Sequence, residues 1–187
     1  MDNTTLIVIG VAVIVVAIAL ALIYWAYDRR RQDKHLRETF GTEYDAAYAS
    51  TDDRKAARKE LKAREERVKD YELQPISGDQ RLAFLSEWQT MQASFVDHPG
   101  TAVNRADQLL SEVMRARGYE SGMGDPADRI ADVSVGHGDE AAAFREAAEI
   151  AKLNRQGRAT TEDLRRAIKD YGVVFDSLLN ERRAATT

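Results

Sequence analysis

The sequence predicts an all-α protein: one N-terminal transmembrane helix followed by a helical bundle of four or five main helices. Three observations lead there. Residues 6 to 27 hold 21 apolar residues of 22 and no charge. Beyond residue 28 the apolar positions recur at spacings of three and four, which is the helical period. No segment of that part alternates apolar and polar residues in the sustained way of a half-buried strand.

The first element is Leu6 to Tyr27, LIVIGVAVIVVAIALALIYWAY. At a rise of about 1.5 Å per residue it spans roughly 33 Å, which matches a hydrocarbon core of about 30 Å. Its distal end carries Tyr24, Trp25 and Tyr27, rings that favour the headgroup layer, and Arg29, Arg30 and Arg31 follow at once. These six residues form the expected membrane interface. A cleaved signal peptide fits less well. The preceding MDNTT has no Lys or Arg, the run exceeds an h-region of roughly 7 to 15 residues, and the Ala-x-Ala sites lie inside it.

Orientation follows from the flanks. Arg29, Arg30, Arg31, Lys34 and Arg37 lie on one side of the run, and Asp2 is the only charged side chain on the other. The positive-inside rule then puts the short tail 1–5 outside and everything after residue 28 in the cytoplasm, in a single-pass protein of the plasma (inner) membrane. With no Cys and no Gly at position 2, lipidation supplies no other anchor.

The 160 residues after Tyr27 contain 60 apolar ones, 23 of them Ala, enough for one modest core. Residues 28–51 form a juxtamembrane segment that starts basic and then places Phe40, Tyr44 and Tyr48 four apart. This is either an amphipathic stretch at the membrane surface or a strip packed under the domain. The bundle proper is expected over 52–180. Its first helix, Asp52 to Tyr71, sets Ala57, Leu61, Arg64, Val68 and Tyr71 along one narrow seam with a single charged member. Ser77 and Gln80 make a capping box for a second helix with the stripe Phe84, Trp88, Met91 and Phe95. His98-Pro99-Gly100 opens a third helix that Gly118 closes. A glycine-rich loop and a short helix over 127–133 lead to Gly136-His137-Gly138, where Asp139 is expected to cap the next helix. Thr160 and Asp163 box the last one, which carries Leu164, Ile168, Tyr171, Phe175 and Leu178 before the polar tail 181–187.

The residues that carry chemistry are few. The chain has no Cys, which excludes a disulfide scaffold, a thiolate metal site and a Cys nucleophile, and a net charge of −4 argues against nucleic acid as a partner. Asp132, Ser134 and His137 fall within one hexapeptide, but triads assemble from distant positions and no G-x-S-x-G elbow surrounds Ser134. No catalytic residue is assigned. His98 and His137 sit in similar turns, and a two-histidine site would need their loops to converge. Neither belongs to a metal-ligand motif, so no metal and no cofactor is expected. Gly118, Gly122 and Gly124 match no phosphate-binding loop. The basic run from Arg54 to Lys69 is interleaved with Glu and reads as a solvated helix face. Trp88, Met91, Phe95 and Tyr171 are candidates either for a ligand pocket or for plain core.

Several stretches carry a resemblance: HLRETFGTEYD at 35–45, FVDHP at 95–99, ADQLLSEVMRARGY at 106–119, IADVSVGH at 130–137 and YGVVFDSLL near the end. Together they resemble an uncharacterised family of bacterial single-pass membrane proteins with a C-terminal helical domain, over most of residues 28–180. The resemblance implies that same layout and no activity. The chain departs from the family pattern at Glu120, where Pro usually follows Gly-Tyr, and at Gly136 and Gly138, where an Asp-His-Pro turn is usual; a looser start to the following helix is the expected consequence. The function expected from all this is a membrane-anchored helical interaction or scaffold module without catalytic activity, partnered by the lipid bilayer and by another protein or itself. The alternative is a ligand-binding helical bundle tethered to the membrane.

Overall fold

A computed structural model describes residues 3–51 and 53–180, with the side chains of residues 3–13, 15 and 123 outside the description. The polar tail 181–187 and the start of the tail 1–5 also lie outside the described residues. All described regular structure is helical: α1 (Asn3–Phe40), α2 (Thr42–Ala49), α3 (Arg54–Lys69), α4 (Gly78–Ser94), α5 (Pro99–Ala116), α6 (Pro126–Val133), α7 (Gly138–Arg155) and α8 (Thr161–Asn180), with a 3-10 turn at Glu120–Met123. Five helices of sixteen residues or more, α3, α4, α5, α7 and α8, form the expected bundle. The short α2 and α6 are added to it.

The chain divides into two units, at Glu38 and Thr39. The first is most of α1, a helix of 38 residues. Its described apolar side chains from Ile14 to Tyr27 lie open, with Leu20 62% exposed, Tyr24 73% and Trp25 59%, whereas Leu36 near its end is buried. The Arg29 guanidinium lies 5.2 Å from the centre of the Trp25 ring and that of Arg31 5.3 Å from Tyr27, cation–π distances. Among the described residues no helix is long and apolar enough to cross a membrane. The run expected to cross begins at Leu6, and the side chains of 6–13 and 15 fall outside that description.

The expected juxtamembrane segment 28–51 does not hold together as one piece. Arginines and acids continue the helix without a break, because RRRQDKHLRET contains good helix formers and no Gly or Pro. The break comes at Gly41, whose φ of 48° a residue with a side chain rarely adopts. Phe40 and Tyr44 are buried, with Tyr44 stacked on Tyr48 at 4.5 Å. The aromatic strip therefore packs into the second unit, and the surface-patch alternative is corrected. Ala47 of α2 and Ala57 and Leu61 of α3 are buried as well, and like Phe40 and Tyr44 they stand apart from the main core.

In the main core α8 is the centre, packed on α7 and α5, with α4 against α5 and α6 against α7. Trp88 of α4 stacks on Phe175 of α8 at 4.5 Å, and Phe144 of α7 meets Tyr171 of α8 edge to face at 6.2 Å. Both sequence-predicted boxes form. The Ser77 hydroxyl accepts from Gln80 N while Gln80 Oε1 accepts from Ser77 N; Thr160 and Asp163 reciprocate in the same way. Gly118 ends α5 in a Schellman motif, with Tyr119 N donating to Met114 O and Gly118 N to Arg115 O.

Gly138 has a different reason to be glycine. A Cβ there would lie 1.7 Å from the Phe40 carbonyl oxygen, so the start of α7 abuts the backbone at the α1–α2 corner. Gly136 N donates to Thr39 O, Thr42 Oγ1 to Gly138 O, and Thr42 N to Asp139 Oδ1. The turn is tightened by its glycine, not loosened. Asp139, expected to cap α7, caps the corner instead, and the N-cap of α7 is His137, whose side chain makes no capping bond to the helix.

Candidate functional site

None of the residues singled out in the sequence assembles into a catalytic group. Asp132 is fully buried and its two oxygens are taken, one by Arg67 Nε at 2.8 Å and one by the Tyr71 hydroxyl at 2.8 Å. Ser134 Oγ donates to Ala131 O at 2.6 Å and accepts from Arg64. His137 turns to Ser177, whose Oγ lies 2.9 Å from Nδ1 and donates to Glu140 at 3.1 Å. Asp132 and Ser134 therefore turn towards α3 and His137 towards α8, so the three side chains do not meet.

The two histidine loops do not converge either. Asn154, at the end of α7, donates to Gly100 O, at the start of α5, at 2.8 Å. His98 precedes α5 and His137 precedes α7, so the length of α7, about 27 Å for its 18 residues, separates them. Among the described residues no group of three His, Asp or Glu side chains is placed to hold a metal ion.

Trp88, Met91 and Tyr171 are buried in the main core and Phe95 packs against it half-buried. Met91 also touches a shallow groove between α4 and α5, with Glu87 and Thr101. Tyr171 keeps a polar function: its hydroxyl donates to Asp107 Oδ1 at 3.1 Å, and burial, then the Asp107 charge and bond, push its pKa up.

The structure instead organises around three carboxylates on the inner faces, each held by arginine. Asp107 takes Arg129 at 2.9 Å as well as Tyr171. Asp132 takes Arg67 and Tyr71. Burial and then the Asp132 bond raise the Tyr71 pKa to about 12. Arg67 is raised too: burial works against the cation, but the bond and charge of Asp132 outweigh it. The third is Glu43 of α2, 4% exposed, whose Oε1 accepts from Arg64 of α3 at 3.4 Å and Arg145 of α7 at 2.6 Å. Its second oxygen, Oε2, is buried with no hydrogen-bond partner. Arg64 was visible beforehand as the charged member of an apolar seam, which calls for a buried acid. Glu43, Asp107 and Arg145 gave no signal, since ordinary surface positions hold the same residues.

Arg64 and Arg145 open onto the largest described groove, about 610 Å³, between α6 and α7. Its apolar lining is Pro126, Ala127, Ile130 and Ala131 of α6 and Ala148 of α7. The lining adds Lys152 and Arg155 of α7, with Asp125 and Glu149 as its two carboxylates. The size suits a small-molecule site. Asp125 is engaged as the N-cap of α6, accepting from Ala127 N, and Glu149 pairs with Lys152 at 3.4 Å.

Comparison with protein-family models, curated proteins and solved structures finds no match to the chain.

Proposed function

We propose that the chain is a membrane-anchored helical interaction module, with residues 6–27 as a single transmembrane helix and the bundle on the cytoplasmic face of the plasma (inner) membrane. The observation that carries the reading is the contrast within α1. A charge-free apolar run of 22 residues enters a continuous helix, its described apolar side chains are open, and it ends in three rings and three arginines. Exposed apolar surface of this extent has to be covered by lipid or protein. The arginines suit anionic headgroups, at about 1 kcal/mol per basic residue near the surface. Membership of the bacterial single-pass family that the sequence resembles is part of the same proposal. Tethering raises the effective concentration of the bundle for a membrane partner or for a second copy.

The test combines fractionation of the full chain with protease treatment of a C-terminal tag in intact, permeabilised and lysed cells. The expected result is retention in the membrane pellet after alkaline extraction and a tag cut only on lysis. Release by alkali would sink the anchor. Cutting after the outer layer alone is opened would reverse the orientation.

A further inference from the structure

We infer that the α6–α7 groove is a binding site for an anionic amphiphile, a small molecule with an aliphatic body and a carboxylate or phosphate head. The inference stands apart from the membrane anchor, since the whole groove lies within the second unit. Two features argue for it together. Five of the lining side chains, Pro126, Ala127, Ile130, Ala131 and Ala148, carry no polar atoms, so together they reward an apolar body. The lining also holds four cations, Arg64, Arg145, Lys152 and Arg155, with Asp125 and Glu149, while Glu43 and Glu60 reach Arg64 and Arg145 from outside it.

The cations are unequally engaged. Lys152 is paired with Glu149, and Arg64 with Glu60 and Glu43. Arg145 gives only Nη2 to Glu43, and Arg155 takes part in no described ion pair. Both are exposed, so their guanidiniums can meet a head group without a change of fold. Arg145 is also held from behind: Glu43 is buried and anchors Nη2 at 2.6 Å, which orders the side chain before a ligand arrives. A planar guanidinium with donors to spare is suited to a carboxylate or phosphate in two-point contact. Buried Glu43 thus acts as a positioning residue for Arg145.

The experiment uses the full chain in nanodiscs of neutral lipid, with empty discs as the blank, and equilibrium dialysis of radiolabelled octyl phosphate. Octanol and inorganic phosphate are the two half-ligands. The expected result is saturable binding of one octyl phosphate per chain, with each half-ligand weaker by about tenfold or more, the scale of one charge-assisted contact. Arg145→Gln with Arg155→Gln should weaken octyl phosphate by about tenfold or more on the same scale while leaving octanol unchanged. Ala127→Trp, at an exposed position of the lining, should abolish binding with the helix content intact by circular dichroism. No saturable binding above empty discs overturns the inference. So does octanol binding as tightly as octyl phosphate, or undiminished binding in Ala127→Trp, which would place the site elsewhere.

Discussion

The two units of this chain invert each other. In the stretch of α1 from Ile14 to Tyr27 the described apolar side chains lie outside and there is no charge; in the bundle the charges come inside, with Glu43 and Asp132 nearly or fully buried. The bundle compensates its inversion within the chain, because the buried Glu43 and Asp132 each meet an arginine from another helix. Arg64 and Arg145 approach Glu43 from α3 and α7, and Arg67 reaches Asp132 of α6 from α3. The first unit offers no such compensation among its described side chains. A buried charge can be satisfied by one neighbour, whereas an exposed apolar surface needs an environment. The bundle thus meets its buried charges from within, and the apolar stretch of α1 calls for an environment.

The largest expected effect breaks the bundle side. Phe144 is fully buried against Tyr171, with the Arg129 guanidinium 5.5 Å from its ring centre. Phe144→Ala should cost about 4 kcal/mol in a denaturant titration. Leu20→Ala, of comparable chemistry but 62% exposed, should leave the unfolding midpoint in place. Equal losses from the two would end the comparison. Leu20→Lys tests the other side: a cation near the middle of a membrane-spanning helix costs about 3 kcal/mol, so the fraction resisting alkaline extraction should fall. An unchanged fraction would mean that Leu20 does not face lipid.

A smaller effect is expected at Asp132. Removing one partner of a buried pair costs most when the other is left dry, but the Arg67 side chain is 42% exposed and can rehydrate. Asp132→Asn should therefore cost about 2 kcal/mol, less than a fully desolvated pair, as read from the same titration. A neutral result would show that water already reaches the carboxylate.

How much was legible follows the same division. The seam Ala57, Leu61 and Val68, both capping boxes and the Gly118 stop depend on local spacing, and all appear as the sequence indicates. The fate of Phe40, Tyr44 and Tyr48 was open, because periodicity shows that a stripe is apolar but not whether lipid or protein covers it. The α6–α7 groove was not legible. Ala127, Ile130 and Ala148 lie on two helices whose approach is set by tertiary packing, and Arg145 looks like any solvated helix residue until Glu43 is brought beneath it. The role of Gly138 was hidden for the same reason, since the atom it must avoid, the Phe40 carbonyl oxygen, is nearly a hundred residues away.

The smallest expected effect lies at alkaline pH and isolates the bundle's internal polar contacts. Tyr71 is raised to about 12 by burial and by its bond to Asp132, against an ordinary value near 10. A folded-state pKa above the unfolded one means that the stabilisation is fully present below about pH 10 and is lost as the pH rises from there towards 12. Tyr171, raised by burial and Asp107, and Lys69, raised chiefly by its bond to Glu65, act in the same direction, so wild-type stability should fall over this range. Tyr71→Phe separates the contributions. It removes the Tyr71 titration and leaves the other two, so its denaturation midpoint should decline less steeply between pH 10 and 12. Parallel declines in wild type and variant would show that the Tyr71 hydroxyl is not held by Asp132, and that this carboxylate is satisfied by Arg67 alone.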